Sequence, residues 1–168
     1  RLDKLGNVPK LSTAERRSIY GFDRFQPVGP GNIPFLETEV SKVQLGGVRF
    51  LGVPGELLPE LAIGYDSAFA FGAPQIDPMN PNPPDLSMKP AGPYLQEMLG
   101  GDISMVAGLS GDELGYLVPP YDFKLDTAKP YDNEAPGDHY EETNSLGPQT
   151  VPTLLEAAKL LTGWEPGL

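Results

Sequence analysis

The chain has 168 residues, of which twenty are Gly and twenty Pro, just under a quarter of its length and close to the roughly 25–30% typical of low-complexity chains. Its 43 Leu, Ile, Val and Phe residues, about a quarter, clear the ~20% below which no core can be built, so one loop-rich globular unit remains and a coiled coil, a helical bundle and a collagen repeat are excluded. Twelve Lys and Arg against 23 Asp and Glu give a net charge of −11, with no basic run to track a phosphate backbone, which excludes nucleic acid as a partner bound through counterion release.

Ser12-Thr13-Ala14-Glu15 has the spacing of a capping box and predicts a short helix before Gly21, with Arg16 and Arg17 on its solvated face. Pro27, Gly29, Pro30, Gly31 and Pro34 make residues 23–35 an extended, turn-rich connection. Over 37–53, Val43 and Leu45 alternate with Lys42 and Gln44, and Gly46-Gly47 supplies a tight hairpin turn. The return run Val48–Val53 is apolar enough for a strand covered on both faces. Pro54-Gly55 stops it, and Glu56–Ile63 reads as a helix with Pro59 inside its first turn.

Residues 64–93 carry seven prolines. A stretch that long without periodicity is expected to be an insert, a lid, or a segment lying on surface this chain does not contain. Within it, Phe69-Ala70-Phe71 would touch an acyl chain or pack against that missing surface. Tyr94–Leu99 is expected to form a turn of helix ended by Gly100-Gly101, and Asp102–Leu109 a second buried strand. Ser110–Tyr116 then turns a second strand-to-helix corner, with Tyr116 at the start of a helical turn. An acidic loop runs from Pro119-Pro120 to about residue 148. Thr150-Val151-Pro152 opens the last helix; Leu154, Leu155, Ala158 and Leu161 form its buried stripe, Gly163 stops it and Trp164 anchors it. The expected fold is α+β. Its mixed sheet combines the Val43–Val53 hairpin with the Ile103–Leu109 strand, and helices and long Pro/Gly-rich loops flank it.

No apolar run approaches the ~18 residues of a membrane span, so no transmembrane segment is expected. The chain has no cysteine, so thiols say nothing of compartment. It begins at Arg1 without a signal pattern, as expected of a processed chain or a piece of a longer one.

Two glycine-containing corners carry the chemistry. Gly52-Val53-Pro54-Gly55-Glu56 and Gly108–Tyr116 each deliver an ionisable side chain from the end of an apolar strand, where sheets of α/β type place their sites. A Glu held on rigid backbone suits a metal ligand or a general base. Equally, Glu56 is accounted for as a charge favoured at a helix N-terminus, and Tyr116 as a packed ring. His139 reads as a surface group. Asp122, Asp126, Asp132, Asp138, Glu141 and Glu142 offer oxygen ligands for calcium, but without the spacing of an EF-hand loop they read as a solvated loop.

Three blocks in this order add a resemblance. Val53-Pro54-Gly55-Glu56, then Gly108-Leu109-Ser110-Gly111-Asp112-Glu113-Leu114-Gly115-Tyr116-Leu117-Val118-Pro119-Pro120, then His139-Tyr140-Glu141-Glu142 with Ser145-Leu146-Gly147-Pro148 resemble the C-terminal part of the catalytic domain of neutral/alkaline, non-lysosomal ceramidases and their bacterial relatives. Leu57–Leu61 is similar to the broader bacterial ceramidase-like group. The likeness covers about residues 40–160. It implies a zinc-dependent amidohydrolase that cleaves the N-acyl amide of ceramide or a related lipid amide, secreted, periplasmic or on the cell surface. Glu56 and Tyr116 would be zinc ligands, and Tyr140, like Tyr116 a residue of the catalytic centre, would steady the oxyanion. Two histidine ligands would come from outside this chain, whose one histidine is His139. They would lie on an N-terminal half of the same enzyme or on a second subunit. Residues 1–168 would then be a single unit, half of a larger catalytic domain, without a separate immunoglobulin-like domain and inactive alone, since a catalytic zinc takes about three protein ligands. The alternatives are a non-catalytic acidic binding module and an amidase for non-lipid N-acyl substrates.

Overall fold

The computed structural model describes residues 38–64, 79–80, 82–89, 92–124 and 140–164. Its centre is a three-stranded mixed sheet. Strand β1 (Ser41–Leu45) turns through Gly46-Gly47 into β2 (Val48–Gly52), and the two pair antiparallel with Val43 opposite Phe50. Gly46 takes φ +62°, the left-handed conformation a two-residue hairpin turn requires. Strand β4 (Ile103–Ala107) lies parallel to β2 on its other side, with Phe50 opposite Met105. The expected combination of hairpin and third strand is therefore present, in an α+β fold.

The segments joining β2 to β4 build one layer over the sheet. Helix α1 (Pro59–Ile63) and helix α2 (Leu95–Leu99) pack together, and α2 lies on β2 and β4. Arg49 of β2 donates to the Leu99 carbonyl at 2.9 Å, and Gln96 Nε2 to the Ser104 carbonyl at 3.0 Å. Helix α4 (Thr150–Thr162) closes the layer against α2 and β1. The core lies between sheet and helices: Leu51, Val53, Leu61, Leu95, Met98, Leu99, Leu117, Val151, Leu154 and Ala158. Gly163 ends α4 at φ +68°, a left-handed cap, and Trp164 packs on the core edge.

Four expectations need correction. The helix begins at Pro59, because Glu56–Leu57 forms a short strand, β3, paired parallel with β5 (Tyr116–Leu117). The corner after β4 is accordingly strand to strand, and Tyr116 does not start a helical turn. Strand β4 is not buried on both faces: its residues alternate exposed and half-buried, with Ile103 and Met105 about half accessible. On α4 the buried residues are Val151, Leu154 and Ala158, while Leu161 faces solvent.

The described part of the proline-rich stretch docks on this chain's own surface. Asp85 caps the 3-10 turn Leu86–Met88 by accepting from Ser87 N–H at 3.1 Å. The Asp85 N–H reaches the Tyr121 carbonyl at 3.2 Å, and Lys124 Nζ the Pro83 carbonyl at 3.2 Å. Among the described residues no helix is long and apolar enough to cross a membrane. The helix expected after Ser12, the connection over 23–35, the Phe69–Phe71 patch, His139 and residues 125–139 of the acidic loop lie outside the described residues.

Candidate functional site

Main-chain pairing sets the site. Beyond β2 the segment Val53-Pro54-Gly55-Glu56 runs between two later stretches of chain. The Val53 N–H donates to the Ala107 carbonyl and the Val53 carbonyl accepts from Ser110 N–H, both at 2.9 Å. The Pro54 and Gly55 carbonyls accept from Leu114 and Leu109 N–H at 2.9 and 2.8 Å, and Glu56 N–H donates to the Gly115 carbonyl at 2.9 Å. Such close threading needs glycine. A Cβ on Gly55 would stand 2.7 Å from the Gly115 carbonyl oxygen and 2.9 Å from the Leu117 side chain. Leu109 takes φ +53° to make its bond, a conformation costing a non-glycine residue about 1–2 kcal/mol.

This frame puts Glu56 and Tyr116 opposite each other across the β3–β5 pair. The Tyr116 phenol donates a hydrogen bond to the Glu56 carboxylate and is pushed above its ordinary value of 10.0. Partial burial is the first cause, then that hydrogen bond, then the charges of Glu56, Tyr140 and Glu141. Each disfavours the phenolate, because a negative charge is harder to place there than the neutral ring.

The third residue arrives from the far end of the chain. Helix α3 (Tyr140–Thr143) packs on β5, and Tyr140 meets Tyr116 edge to face, ring centroids 5.8 Å apart at 75°, the favoured arrangement of two rings. Two contacts fix α3. Its following residue, Asn144, accepts Tyr116 N–H at 3.1 Å, and buried Glu142 accepts Lys124 N–H at 3.1 Å. Tyr140 itself stays about half exposed.

The structure thus brings Glu56, Tyr116 and Tyr140 together from segments separated by 60 and 24 positions. It does not put Glu56 at a helix N-terminus: the acidic residue in the first turn of α1 is Glu60. Glu141, which the sequence offers as a loop carboxylate or calcium ligand, acts through its charge on Tyr116. Its position beside Tyr140 was the available signal. Of the six acidic residues considered for calcium, Glu142 is committed to the Lys124 amide. Among the described residues no group of three or more His, Cys, Asp or Glu side chains is placed to hold a metal.

For zinc, the donor chemistry present fits two coordination positions. The carboxylate and the phenol are already joined by a hydrogen bond, and a carboxylate oxygen is among the usual ligands of zinc. The negative field of Glu56 and Glu141 that holds the proton on Tyr116 also attracts a cation. Two oxygen donors fall short of the roughly three protein ligands a catalytic zinc takes. Comparison with protein-family models, curated proteins and solved structures found no match.

Proposed function

We propose that this chain contributes part of the catalytic centre of a zinc-dependent amidohydrolase of ceramidase type, acting on the N-acyl amide of ceramide or a related lipid amide. The observation that supports it is the convergence of Glu56, Tyr116 and Tyr140, joined by a phenol–carboxylate hydrogen bond and an edge-on ring contact. In the reaction, water is added across the amide C–N bond, releasing a carboxylic acid and a free amine. Zinc, when bound, supplies an acidified water and polarises the amide carbonyl. Glu56 and Tyr116 would hold the metal, Tyr116 as the phenolate with its proton released to solvent. Tyr140 donates its phenol hydrogen to the oxyanion that develops on the carbonyl, a contact whose loss costs on the order of 3 kcal/mol of transition-state stabilisation. The remaining ligands, two histidines, are supplied by an N-terminal half or a second subunit, and the chain alone binds zinc weakly.

Titration of the protein with zinc at neutral pH tests this directly, with tyrosinate absorbance in the near ultraviolet as readout. A rise in tyrosinate that disappears in Tyr116→Phe and weakens in Glu56→Gln is expected. Zinc binding without tyrosinate, or binding untouched by Glu56→Gln, removes the pair from any metal site. With the histidine-bearing partner present, release of fatty acid from N-acyl lipids but not from soluble N-acyl compounds separates the lipid amidase from its relatives. No release from either class leaves the binding module as the reading.

A further inference from the structure

Leu109 breaks two ordinary rules at once. Among the described residues nine glycines take a positive φ, and Leu109, at +53°, is the one residue with a side chain that does so. A Cβ disfavours that left-handed conformation, which glycine or asparagine adopts with little penalty. Burial does not explain the leucine either. Its side chain is 53% exposed and belongs neither to the core nor to the apolar residues packed against it. The backbone has no freedom to relax: Leu109 N–H donates to the Gly55 carbonyl at 2.8 Å, and the next N–H, of Ser110, to the Val53 carbonyl at 2.9 Å. An aliphatic group is thus held, against the preference of its own backbone, on the residue bonded to the one before Glu56. Strain of this kind concentrates at active sites and ligand clamps.

We propose that Leu109 is a specificity residue that contacts the acyl chain of the substrate. The inference rests on the reading of Glu56, Tyr116 and Tyr140 as part of the centre of an N-acyl amidase. The side chains that meet there offer a carboxylate and two phenols, which suit a metal and an amide carbonyl but not a hydrocarbon. In an N-acyl amide the chain begins at the atom next to the carbonyl carbon, so its first methylenes must lie close to whatever holds that carbonyl. Of the other aliphatic residues in the two corners, Val53 and Leu117 are fully buried, and Leu57 and Leu114 half-buried. Leu109 is the exposed one.

Chain-length preference tests this on the full chain. Two neutral probes, N-octanoylethanolamine and N-acetylethanolamine, are compared by calorimetric titration, and the wild type should bind the octanoyl compound more tightly. Leu109→Asn keeps the left-handed backbone and removes the hydrocarbon. It should weaken octanoyl binding about three- to tenfold, the loss expected when the exposed half of a leucine is no longer there to be covered, and leave acetyl binding unchanged. Leu109→Gly should behave in the same way, and both should unfold at urea midpoints no lower than that of the wild type. Leu109→Met, apolar and equally strained, should retain the wild-type ratio of affinities. No octanoyl preference in the wild type overturns the proposal. So does a ratio unmoved in Leu109→Asn and Leu109→Gly, which would assign the leucine to a protein partner. Midpoints lowered in both variants overturn it too, because the leucine would then be kept by packing within the chain. The metal reading is judged separately: a missing chain-length effect beside an intact zinc-induced tyrosinate signal refutes the acyl contact alone, and the converse refutes the metal site alone.

Discussion

Gly115→Ala isolates the contact that carries α3 to the site. Gly115 has φ +79°, and an added Cβ would collide with the Asn144 carbonyl, its carbon lying 3.1 Å away. The same carbonyl accepts the Tyr116 N–H, so relief of the clash must break that bond and push α3 off β5. Gly46→Ala is the matched control, with φ +62° and nothing within 4 Å of the added atom. Both variants incur the left-handed cost of about 1–2 kcal/mol, and any loss of unfolded-state freedom is common to the two. Only Gly115→Ala adds the loss of a backbone hydrogen bond, about 1–3 kcal/mol. Urea unfolding should therefore place Gly115→Ala about 1–3 kcal/mol below Gly46→Ala. Tyr116, parted from Tyr140 and Glu141, should at the same time titrate closer to 10. Equal stability of the two variants, or a Tyr116 titration unchanged in Gly115→Ala, would refute the account of how α3 is held.

Spectrophotometric titration of tyrosine should find Tyr116 ionising above 10, and Glu56→Gln should lower it without abolishing the shift, since burial, Tyr140 and Glu141 remain. The sign of the linkage follows: a phenol raised on folding adds stability that is complete below pH 10 and is lost as pH climbs through the raised value. Alkaline unfolding of the wild type should show that loss, and Tyr116→Phe should not share it. Glu142→Ala, which strips a buried acceptor from the Lys124 amide, should cost about 1–3 kcal/mol in urea and weaken the Tyr116–Tyr140 ring contact seen in nuclear Overhauser spectra. Leu51→Ala, at a fully buried core position, should cost about 2–5 kcal/mol, against roughly ±0.5 kcal/mol for Leu160→Ala on the open side of α4.

Local chemistry made much of the fold legible. Gly46-Gly47 between alternating residues announced the hairpin, and the glycines at 100 and 163 marked helix ends where the structure has them. Strand β4 misled because Ile103, Met105 and Val106 form an apolar run whether one face is covered or two; burial is decided by what packs on the strand, which periodicity does not report. Strands β3 and β5 are two residues each, too short for any alternation to show, so the sequence pattern runs Glu56 into the helix that starts three residues later. The site was legible only as an order of blocks. Nothing in the spacing of positions 56, 116 and 140 says that they meet; that depends on Gly115 letting the Asn144 carbonyl approach.

The threading of Val53–Glu56 has a consequence for how such a site can change over generations. Five main-chain hydrogen bonds hold those four residues, and main-chain bonds do not depend on which side chain a codon specifies. Positions 56 and 116 are therefore sockets in a fixed lattice. Their occupants can be exchanged, acid for amide or phenol for imidazole, without touching any of those bonds, whereas a side chain added at Gly55 or Gly115 would collide with main-chain carbonyls. Chemistry is free to drift at these two points; the frame that presents it is not.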